Sequence, residues 1–402
     1  MAQTTDKRIV LGITGGIAAY KAAELVRLLV KNGTDVQVVM TEAACGFITP
    51  ATLQALSGKP VYTNLWDGRV TDGMAHITLS RGVDAIVVAP ASADFMAKVA
   101  NGLADDLLST LCLARECPLM LAPAMNRQMW ENKATQRNVA TLARDGVALL
   151  GPASGEQACG ETGPGRMLEA GQIFEEIQSQ LAPKLLAGKN VLITAGPTFE
   201  ALDPVRGITN RSSGKMGYAI ARAALDAGAK VTLISGPVHL DPPVSARVER
   251  VDSAAEMFAA VKKHVKSADI FIGVAAVADY RPERVSTQKI KKTDGDMPLR
   301  LIQNPDILAW VAAQAKAPFT VGFAAESQKL NEFADAKRRR KKVQLMVANL
   351  AQHAIGADDN EVTLLDDAGL HKLPRAPKTV VARQIVAHLA ALVTPRKTNK
   401  PH

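Results

Sequence analysis

A glycine-rich segment and a hydroxyl residue carry the first candidate chemistry. The Gly12-Ile-Thr-Gly15-Gly16 segment follows an apolar run and opens a helix, so its backbone N–H groups can bind a phosphate. The spacing is not GxGxxG, and the second strand ends at Thr41 instead of an acidic residue that would bind a ribose. This pattern favours a mononucleotide phosphate, although a glycine turn needed only for chain geometry is the alternative.

Two later turns follow the same plan. Ser92 lies at a helix start after the third strand, and Asn126 lies at a helix start after the fourth. Either residue can simply cap its helix. Asn126 can also donate to a carboxylate, with Met125, Met129 and Trp130 beside it.

A cysteine and a histidine are the reactive side chains of this half. Cys159 lies in a glycine-dense segment, residues 155–167, that is typical of a mobile flap, and a cysteine there can approach a substrate and donate a proton. His76 is the only histidine before residue 180. A lone histidine is usually a polar surface or core residue, so His76 is only a weak candidate for a catalytic base.

The second half offers groups suited to anions. Residues 195–217 form a long polar connection, and such connections are usually functional. The segment does not match the phosphate-binding motif GxxxxGK[ST], because its glycine spacing differs and the residue after Lys215 is neither Ser nor Thr. Asp279 follows a buried run and could hold Mg²⁺ beside nucleotide phosphates. Lysines cluster at 288–292, where they could bind an anion or could be only a solvated run of charge. Basic residues also cluster at 337–341, where binding of a triphosphate and binding of nucleic acid are the two alternatives.

Composition limits the class of protein. The chain has 402 residues, 47% hydrophobic and 22% charged, which excludes a disordered or fibrous protein. Lys and Arg number 15 against 18 Asp and Glu in residues 1–180, and 33 against 21 afterwards, so the net charge of +9 divides into −3 and +12. Aromatic residues are only 4%, which disfavours stacking of nucleic-acid bases.

The order of apolar runs predicts the fold. Short continuous apolar runs alternate with helical patterns throughout, which is typical of parallel sheets covered on both faces. We predict an α/β protein with two three-layer α/β/α Rossmann-like domains, residues 1–189 and 190–402, and ligands at the carboxyl ends of the strands. Four irregularly spaced cysteines and the lack of a leader or an apolar 18-residue stretch predict a cytoplasmic protein with no membrane partner.

Four motifs together carry a resemblance: TGGIAAYK, PASAD, PAMNRQMW and ACGETGPGRM. The first half resembles the flavin-dependent cysteine decarboxylases, in particular the phosphopantothenoylcysteine decarboxylases. Asp94 departs from the Asn that many flavin relatives carry. The second half, about residues 190–390, resembles the bacterial CTP-using phosphopantothenate–cysteine ligases, and the whole chain resembles fused bacterial proteins of coenzyme A biosynthesis.

The resemblance implies FMN as cofactor of the first domain. Loss of CO₂ from a cysteinyl group needs an electron sink, which FMN supplies by accepting a hydride. His76 would be the base for the thiol, Asn126 would hold the carboxylate, and Cys159 would return a proton. The implied FMN contacts are Gly15, Gly16, Ile17, Thr41, Ala91 and Ser92.

The resemblance also implies a ligase that activates 4'-phosphopantothenate with CTP and lets cysteine displace CMP. Asn210 would hold the phosphopantothenate or its acyl-cytidylate, Lys289 would offset phosphate charge, and Asp279 would bind Mg²⁺. The implied CTP contacts are Gly273, Val274, Ala275, Asp279, Lys289, Asn304, Pro305, Asp306, Ile307, Phe323, Lys337 and Lys341.

Assembly and two rival classes complete the expectations. The resemblance implies a homo-dodecamer of flavin-domain trimers joined through ligase-domain dimers. A nicotinamide dehydrogenase is disfavoured by the missing GxGxxG. The second alternative, a basic nucleic-acid-binding protein, is supported by the basic residues 337–341 and the basic tail. We nevertheless expect no nucleic-acid partner, because these charges suit small anions.

Overall fold

The chain folds into two units. The computed structural model describes residues 7–67, 69, 74–158, 160–243, 245–291, 297–326, 330–350 and 356–393. The units are Met1–Leu181 and Ala182–His402. Leu186 is buried in the core of the second unit. The boundary after residue 189 stays a prediction.

The first unit alternates strands and helices. Its strands are β1 Arg8–Ile13, β2 Asp35–Met40, β3 Ala85–Ala91, β4 Leu119–Pro123, β5 Ala148–Leu149, β6 Ala153–Glu156 and β7 Thr162–Arg166. Its helices are α1 Tyr20–Lys31, α2 Glu42–Cys45, α3 Pro50–Ser57, α4 Ala75–Ser80, α5 Ala93–Asn101, α6 Leu107–Ala114, α7 Arg127–Glu131, α8 Lys133–Arg144 and α9 Ala170–Gln180. A 3₁₀ turn, Ile17–Ala19, leads into α1.

The five-stranded sheet of this unit is parallel and has the order β2-β1-β3-β4-β5. Strand β1 is buried on both faces: Ile9 and Leu11 lie in one apolar cluster with α1 and α9, whereas Val10 lies in another with α5 and α6. This is a three-layer arrangement. The strand order reverses between β1 and β3, and open sheets of this order bind ligands at that point.

The second unit repeats the plan with more strands. These are β8 Asn190–Ala195, β9 Phe199–Ala201, β10 Gly207–Thr209, β11 Lys230–Ser235, β12 Arg247–Arg250, β13 Ile270–Gly273, β14 Tyr280–Pro282, β15 Leu301–Gln303, β16 Phe319–Glu326, β17 Leu345–Leu350, β18 Asp359–Asp366 and β19 Gly369–Pro377. The helices are α10 Lys215–Asp226, α11 Ala254–His264, α12 Ile307–Ala312, α13 Leu330–Lys341 and α14 Lys378–Val393. A second 3₁₀ turn, Val265–Ser267, follows α11.

The main sheet of this unit has eight strands in the order β12-β11-β8-β13-β16-β17-β18-β19. The first six are parallel and the last two pair antiparallel. Apolar clusters lie on both faces, one with α10 and α14 and the others with α11, α12 and α13. The direction of strand addition reverses between β8 and β13, so the ends of these two strands are the expected ligand-binding edge.

The predicted fold class is confirmed, with differences in the connections. The glycine-dense segment expected to be a flap contains a two-stranded hairpin, β6 and β7. The connection 195–217 contains the hairpin of β9 and β10. Strand β19 and helix α14 were not predicted from the sequence. Over the described residues, no helix is long and apolar enough to cross a membrane.

Candidate functional site

The first candidate site lies where β1 and β3 end. The side chain of Thr14, just after β1, donates its hydroxyl to the carbonyl of Pro90 at 2.8 Å and accepts from the backbone N–H of Ser92 at 2.9 Å. Thr14 is buried. One hydroxyl therefore joins the two loops at the point where the strand order reverses.

The glycines after Thr14 leave room at this edge. A Cβ on Gly15 would lie 2.7 Å from the Cβ of Ala43, so only glycine allows α2 to approach this loop. A Cβ on Gly16 would meet no atom within 4 Å. Ile17, the next residue, is 64% exposed. The loop is thus packed on one side and open on the other.

Three polar side chains at this edge cap helices. Thr41 accepts from the backbone N–H of Ala44 at 3.3 Å, and Ser92 accepts from that of Phe95 at 3.2 Å. Asn126 Oδ1 accepts from the backbone N–H of Met129 at 2.9 Å. Ser92 and Asn126 therefore do cap their helices, as one of the two alternatives predicted. The Asn126 Nδ2, which donates to Gln128 at 3.0 Å, is the atom that could instead bind a carboxylate.

The β6–β7 hairpin is fastened to the loop that carries Asn126. The backbone N–H of Met125 donates to the carbonyl of Gly165 at 3.0 Å. The side chain of Gln157 accepts from the backbone N–H of Arg127 at 3.0 Å and donates to the carbonyl of Pro164 at 3.0 Å. Gln157, the residue after β6, and Gly165, on β7, therefore both lie against the Asn126 loop.

Cys159 itself lies outside the described residues. His76 lies in the first turn of α4, and its Nδ1 is buried with no hydrogen-bond partner within the described part of the chain. A buried polar atom without a partner is uncommon and calls for a ligand or another explanation. A lone histidine carries no local sequence signal that distinguishes a base from a structural residue.

A buried lysine that the sequence analysis missed ties the first helix to the end of the hairpin. Lys21, in α1, donates to the carbonyl of Met167 at 3.1 Å and to Glu169 Oε1 at 2.8 Å. Its side chain is only 6% exposed, against 54% for Glu169. The hydrogen bond from Lys21 is the largest cause of a lowered pKa at Glu169, and Arg166 adds to it while burial opposes it. The signal was the lysine in TGGIAAYK, inside an otherwise small and apolar helix face.

The second candidate site is a cavity of about 550 Å³ at the carboxyl ends of β8 and β13. Most of the residues implied for CTP line it, with Asn210 beside them. Those lining residues are Gly273, Val274, Ala275, Asp279, Asn304, Pro305, Asp306, Ile307, Phe323, Lys337 and Lys341. They come from separate loops and from α13, which the sheet gathers at one edge.

One side of the cavity is organised by Asn304. Its Nδ2 donates to the carbonyl of Ala278 at 2.9 Å and its Oδ1 accepts from Arg281 at 2.7 Å. Its backbone N–H donates to the carbonyl of Asp279 at 2.8 Å. This buried asparagine holds the turn carrying Asp279 against the turn that starts α12, so both present their backbone to the cavity.

A charged group faces the cavity from α13. Lys341 donates to Asp306 Oδ1 at 3.0 Å, and Asp306 caps α12. Burial would raise the pKa of Asp306, but the Ala309 N–H, Lys341 and Lys337 together lower it. Burial, followed by repulsion from Lys341, lowers the pKa of Lys337. Burial and a neighbouring cation both disfavour the charged form of Lys337. A polyanionic ligand would offset both effects, so this pair of lysines is suited to bind one.

The other side of the cavity contains two lysines that were not predicted from the sequence, together with the predicted Asn210. Lys215 pairs with Asp358 at 2.5 Å, and Lys378 is buried with its ammonium group bonded to the carbonyl of Ala357. Burial and repulsion from Lys215 lower the pKa of Lys378. Asn210 donates to the carbonyl of Ala276 at 2.9 Å. Lys378 begins the undetected α14, which explains why it was missed.

Lys289 is not part of this lining. Its side chain is exposed, and the next backbone N–H, that of Ile290, donates to buried Asp203 at 3.1 Å. Asp203 also accepts from the backbone N–H groups of Val205 and Arg206. The residue after Lys289 is therefore fixed to the turn between β9 and β10, whereas residues 292–296 lie outside the described part.

Comparisons with known proteins agree over both units. Residues 2–182 match the family model described as Flavoprotein, and residues 186–393 match that of the DNA/pantothenate metabolism flavoprotein C-terminal domain. The expected flavin cofactor of the first domain is confirmed at this level. Two solved structures are similar. The C-terminal domain of a coenzyme A biosynthesis bifunctional protein is 40% identical, covers 52% of this chain and 98% of its own, and has a TM-score of 0.46. The FMN-dependent cysteine decarboxylase SpaF is 32% identical, covers 43% of this chain and 95% of its own, and has a TM-score of 0.37.

Full-length relatives are more similar still. The coenzyme A biosynthesis bifunctional protein of Vibrio cholerae is 52% identical over 392 residues, which is 96% of this chain and 98% of that one. Its counterpart in Escherichia coli is 49% identical over 389 residues, 94% of this chain and 96% of that one. The chain therefore belongs to the family of coenzyme A biosynthesis bifunctional proteins, enzymes that combine a decarboxylase with a ligase.

Proposed function

We propose that the second unit joins cysteine to 4'-phosphopantothenate at the expense of CTP, and that the first unit decarboxylates the product with FMN. The observation that carries the ligase proposal is the cavity: eleven of the twelve residues implied for CTP line it, and Lys289 is the exception. The +12 net charge of residues 181–402 suits a triphosphate and a phosphorylated acid.

The first site fits a flavin mononucleotide. The loop of Gly15 and Gly16 leads into a helix and is open on one side, which suits a phosphate, and it lies at the strand-order reversal where such sheets bind ligands. FMN, when bound, supplies the two-electron acceptor that cysteine decarboxylation needs. Gly15, Gly16, Ile17, Thr41, Ala91 and Ser92 would hold it.

Three side chains would act on the decarboxylase substrate. Asn126 Nδ2 would hold the cysteinyl carboxylate by a charge-assisted hydrogen bond. His76 would accept the thiol proton. Its Nδ1 has no hydrogen-bond partner among the described residues, so this nitrogen is the one that would accept it. Cys159 would return a proton to the product. A Cys159→Ser enzyme should therefore retain flavin but form 4'-phosphopantetheine slowly, and an undiminished rate would remove this role.

The ligase reaction needs an activated carboxyl group. An amine does not displace an oxide from a carboxylate, so a cytidylyl group must first convert that oxygen into part of a leaving group. Asn210 would bind the phosphopantothenate or acyl-cytidylate. Lys337 and Lys341 would bind triphosphate oxygens, and Asp279 would contribute to Mg²⁺ binding with those oxygens.

Lys289 would offset phosphate charge in the transition state, acting from a segment that lies outside the cavity lining. A Lys289→Gln enzyme tests this assignment with 4'-phosphopantothenate, CTP and no cysteine. We expect pyrophosphate release to fall by at least tenfold, since a lysine that acts only in the transition state affects kcat. Normal release would remove Lys289 from the catalytic set.

The overall proposal is tested with the purified full-length protein. With 4'-phosphopantothenate, CTP, Mg²⁺ and cysteine it should release one CMP per ligated product, then CO₂, and it should show a flavin absorption spectrum. CTP replaced by ATP should reduce ligation, and chelation of Mg²⁺ should abolish it. Equal ligation with ATP would contradict the nucleotide assignment, and a colourless protein that releases no CO₂ would contradict the decarboxylase.

The assembly and location are part of the same proposal. We expect a homo-dodecamer of flavin-domain trimers and ligase-domain dimers in the cytoplasm, acting on small molecules without nucleic acid. Light scattering of the purified protein measures its mass directly, and a monomer of 42.6 kDa would contradict the assembly.

A further inference from the structure

Two histidines and a buried aspartate meet in the second unit at a place that the proposed reaction does not use. Asp366 is the last residue of β18, His371 lies on β19 of the same hairpin, and His388 lies on α14. His371 Nε2 is 3.2 Å from Asp366 Oδ1, and His388 Nε2 is 2.8 Å from Asp366 Oδ2. The three ligand atoms lie within 4.8 Å of one another.

We propose that Asp366, His371 and His388 form a binding site for a divalent transition-metal ion such as Zn²⁺. Two imidazole nitrogens and a carboxylate oxygen are a common ligand set for zinc, which accepts three protein ligands and one water. Imidazole also suits Co²⁺, Ni²⁺ and Cu²⁺, whereas Mg²⁺ and Ca²⁺ prefer oxygen ligands. The site is therefore chemically different from the Mg²⁺ proposed at Asp279.

The spacing fits a metal after a small adjustment. Ligand atoms about 2.0–2.1 Å from a tetrahedral zinc lie about 3.3 Å apart. The two nitrogen-to-oxygen distances, 3.2 and 2.8 Å, lie close to that value. The two imidazole rings have their centroids 4.6 Å apart. The two nitrogens contact different oxygens of Asp366, so rotation of the side chains would bring the three ligand atoms, now within 4.8 Å of one another, to one ion.

The aspartate is held in place by other groups. Its side chain is 3% exposed, and its Oδ1 accepts from the backbone N–H groups of Ala368 at 2.8 Å and Gly369 at 3.1 Å. Such support orients a metal ligand and lowers the cost of binding. On α14, Ile385 and Leu389 are fully buried on either side of His388 in sequence, so the backbone that carries this ligand is fixed as well.

The site lies away from the ligase cavity. In the register of β17 and β18, Met346 is opposite Leu365, so Asp366 lies beside the beginning of β17. The cavity lies at the carboxyl ends of the parallel strands, which is the opposite edge of the sheet. A metal here would fasten α14 to the β18–β19 hairpin, and its removal would weaken that attachment without removing a CTP ligand.

Zinc binding by the full-length protein tests the proposal. Chelator-treated wild type, a His371→Gln/His388→Gln variant and Asp366→Asn are each titrated with Zn²⁺ by calorimetry. Wild type should bind one more zinc per chain than the double variant, and Asp366→Asn should bind that zinc at least tenfold more weakly. The matched control is His264→Gln, because His264 pairs with Glu249 at 2.7 Å without a second histidine; it should retain wild-type binding.

Thermal unfolding gives a second readout that does not depend on stoichiometry. Excess Zn²⁺ should raise the melting temperature of wild type and of His264→Gln by several degrees, and should leave that of the double variant unchanged. All four cysteines precede residue 160, so any zinc they bind is common to every variant. Equal zinc uptake, affinity and melting shifts in wild type and the double variant would overturn the proposal and leave only a hydrogen-bonded cluster.

Discussion

The side-chain oxygen of Gln157 accepts a hydrogen bond from the backbone N–H of Arg127 at 3.0 Å. Gln157 lies beside the tip of the β6–β7 hairpin, and Arg127 is the first residue of the helix that Asn126 caps. The contact joins two segments thirty residues apart. It therefore holds the start of the hairpin turn against the helix that begins beside Asn126, the proposed carboxylate ligand.

Gln157→Ala should slow decarboxylation at least tenfold and leave flavin content and ligation unchanged. The variant loses the hydrogen bonds of Gln157 with Arg127 and Pro164, each worth about 1 kcal/mol. A displacement of about 1 Å at a reacting centre can cost about 100-fold in rate. Release of CO₂ from phosphopantothenoylcysteine measures the effect. Gln172→Ala, which removes an amide that bonds Glu169 at the start of α9, is the control and should retain the rate. Equal rates for both variants would show that the hairpin needs no such contact.

Gly165 supplies a second constraint on the same hairpin. Its φ is +124°, which side-chain-bearing residues rarely adopt, and a Cβ would lie 2.4 Å from the carbonyl oxygen of Met125. Gly165→Ala should destabilise the first unit by about 2 kcal/mol or more and impair decarboxylation, because the hairpin must move away from the Asn126 loop. Gly171, on α9, has open space around a Cβ, so Gly171→Ala should be neutral or slightly stabilising. Thermal unfolding of both variants decides the matter, and similar melting temperatures would contradict it.

These contacts show how far the sequence leads. Continuous apolar strands such as β1 and the glycines at 15 and 16 predicted a parallel sheet with ligands at its carboxyl edge, because both signals are local. The hairpin pairing of Gln157 with Arg127 depends on residues thirty positions apart, and nothing in either segment specifies the partner. Lys378 was missed for a similar reason: α14 has little contrast between its faces, and only packing against α10 identifies it as a helix beside the cavity.

Acid should expose the contribution of Lys21. Because the pKa of Glu169 is lowered in the folded protein, the pair stabilises the fold above the ordinary glutamate value of 4.5, and this stability is lost as the pH falls below it. Lys21→Met should reduce that part of the pH dependence, because Arg166 still pairs with Glu169. Glu169 is half-exposed, so water screens the pair and the effect should be modest.

Denaturant unfolding of the full-length protein at pH 7 and at pH values below 4.5 measures this difference. The wild type should lose more stability on acidification than Lys21→Met does. Lys31→Met, which changes an exposed lysine at the end of the same helix, should behave as the wild type. A Lys21→Met protein with the full acid sensitivity of the wild type would show that Glu169 is not stabilised by this contact.

Lys337 should make CTP binding depend on pH. Burial and Lys341 lower its pKa, so the free protein begins to lose this charge below the ordinary lysine value of 10.5. A triphosphate favours the protonated lysine; binding should therefore raise the pKa of Lys337, take up a proton at alkaline pH and weaken as the pH rises. Lys337→Arg should take up fewer protons on binding CTP and lose less affinity as the pH rises, since guanidinium stays protonated. Calorimetry in two buffers of different ionisation enthalpy measures the proton uptake.

The control is Lys263→Met, because the ammonium group of Lys263 pairs with Glu249. This variant should take up the proton on binding CTP as the wild type does. Proton uptake by Lys337→Arg equal to that of the wild type would assign the titration to another group of the cavity.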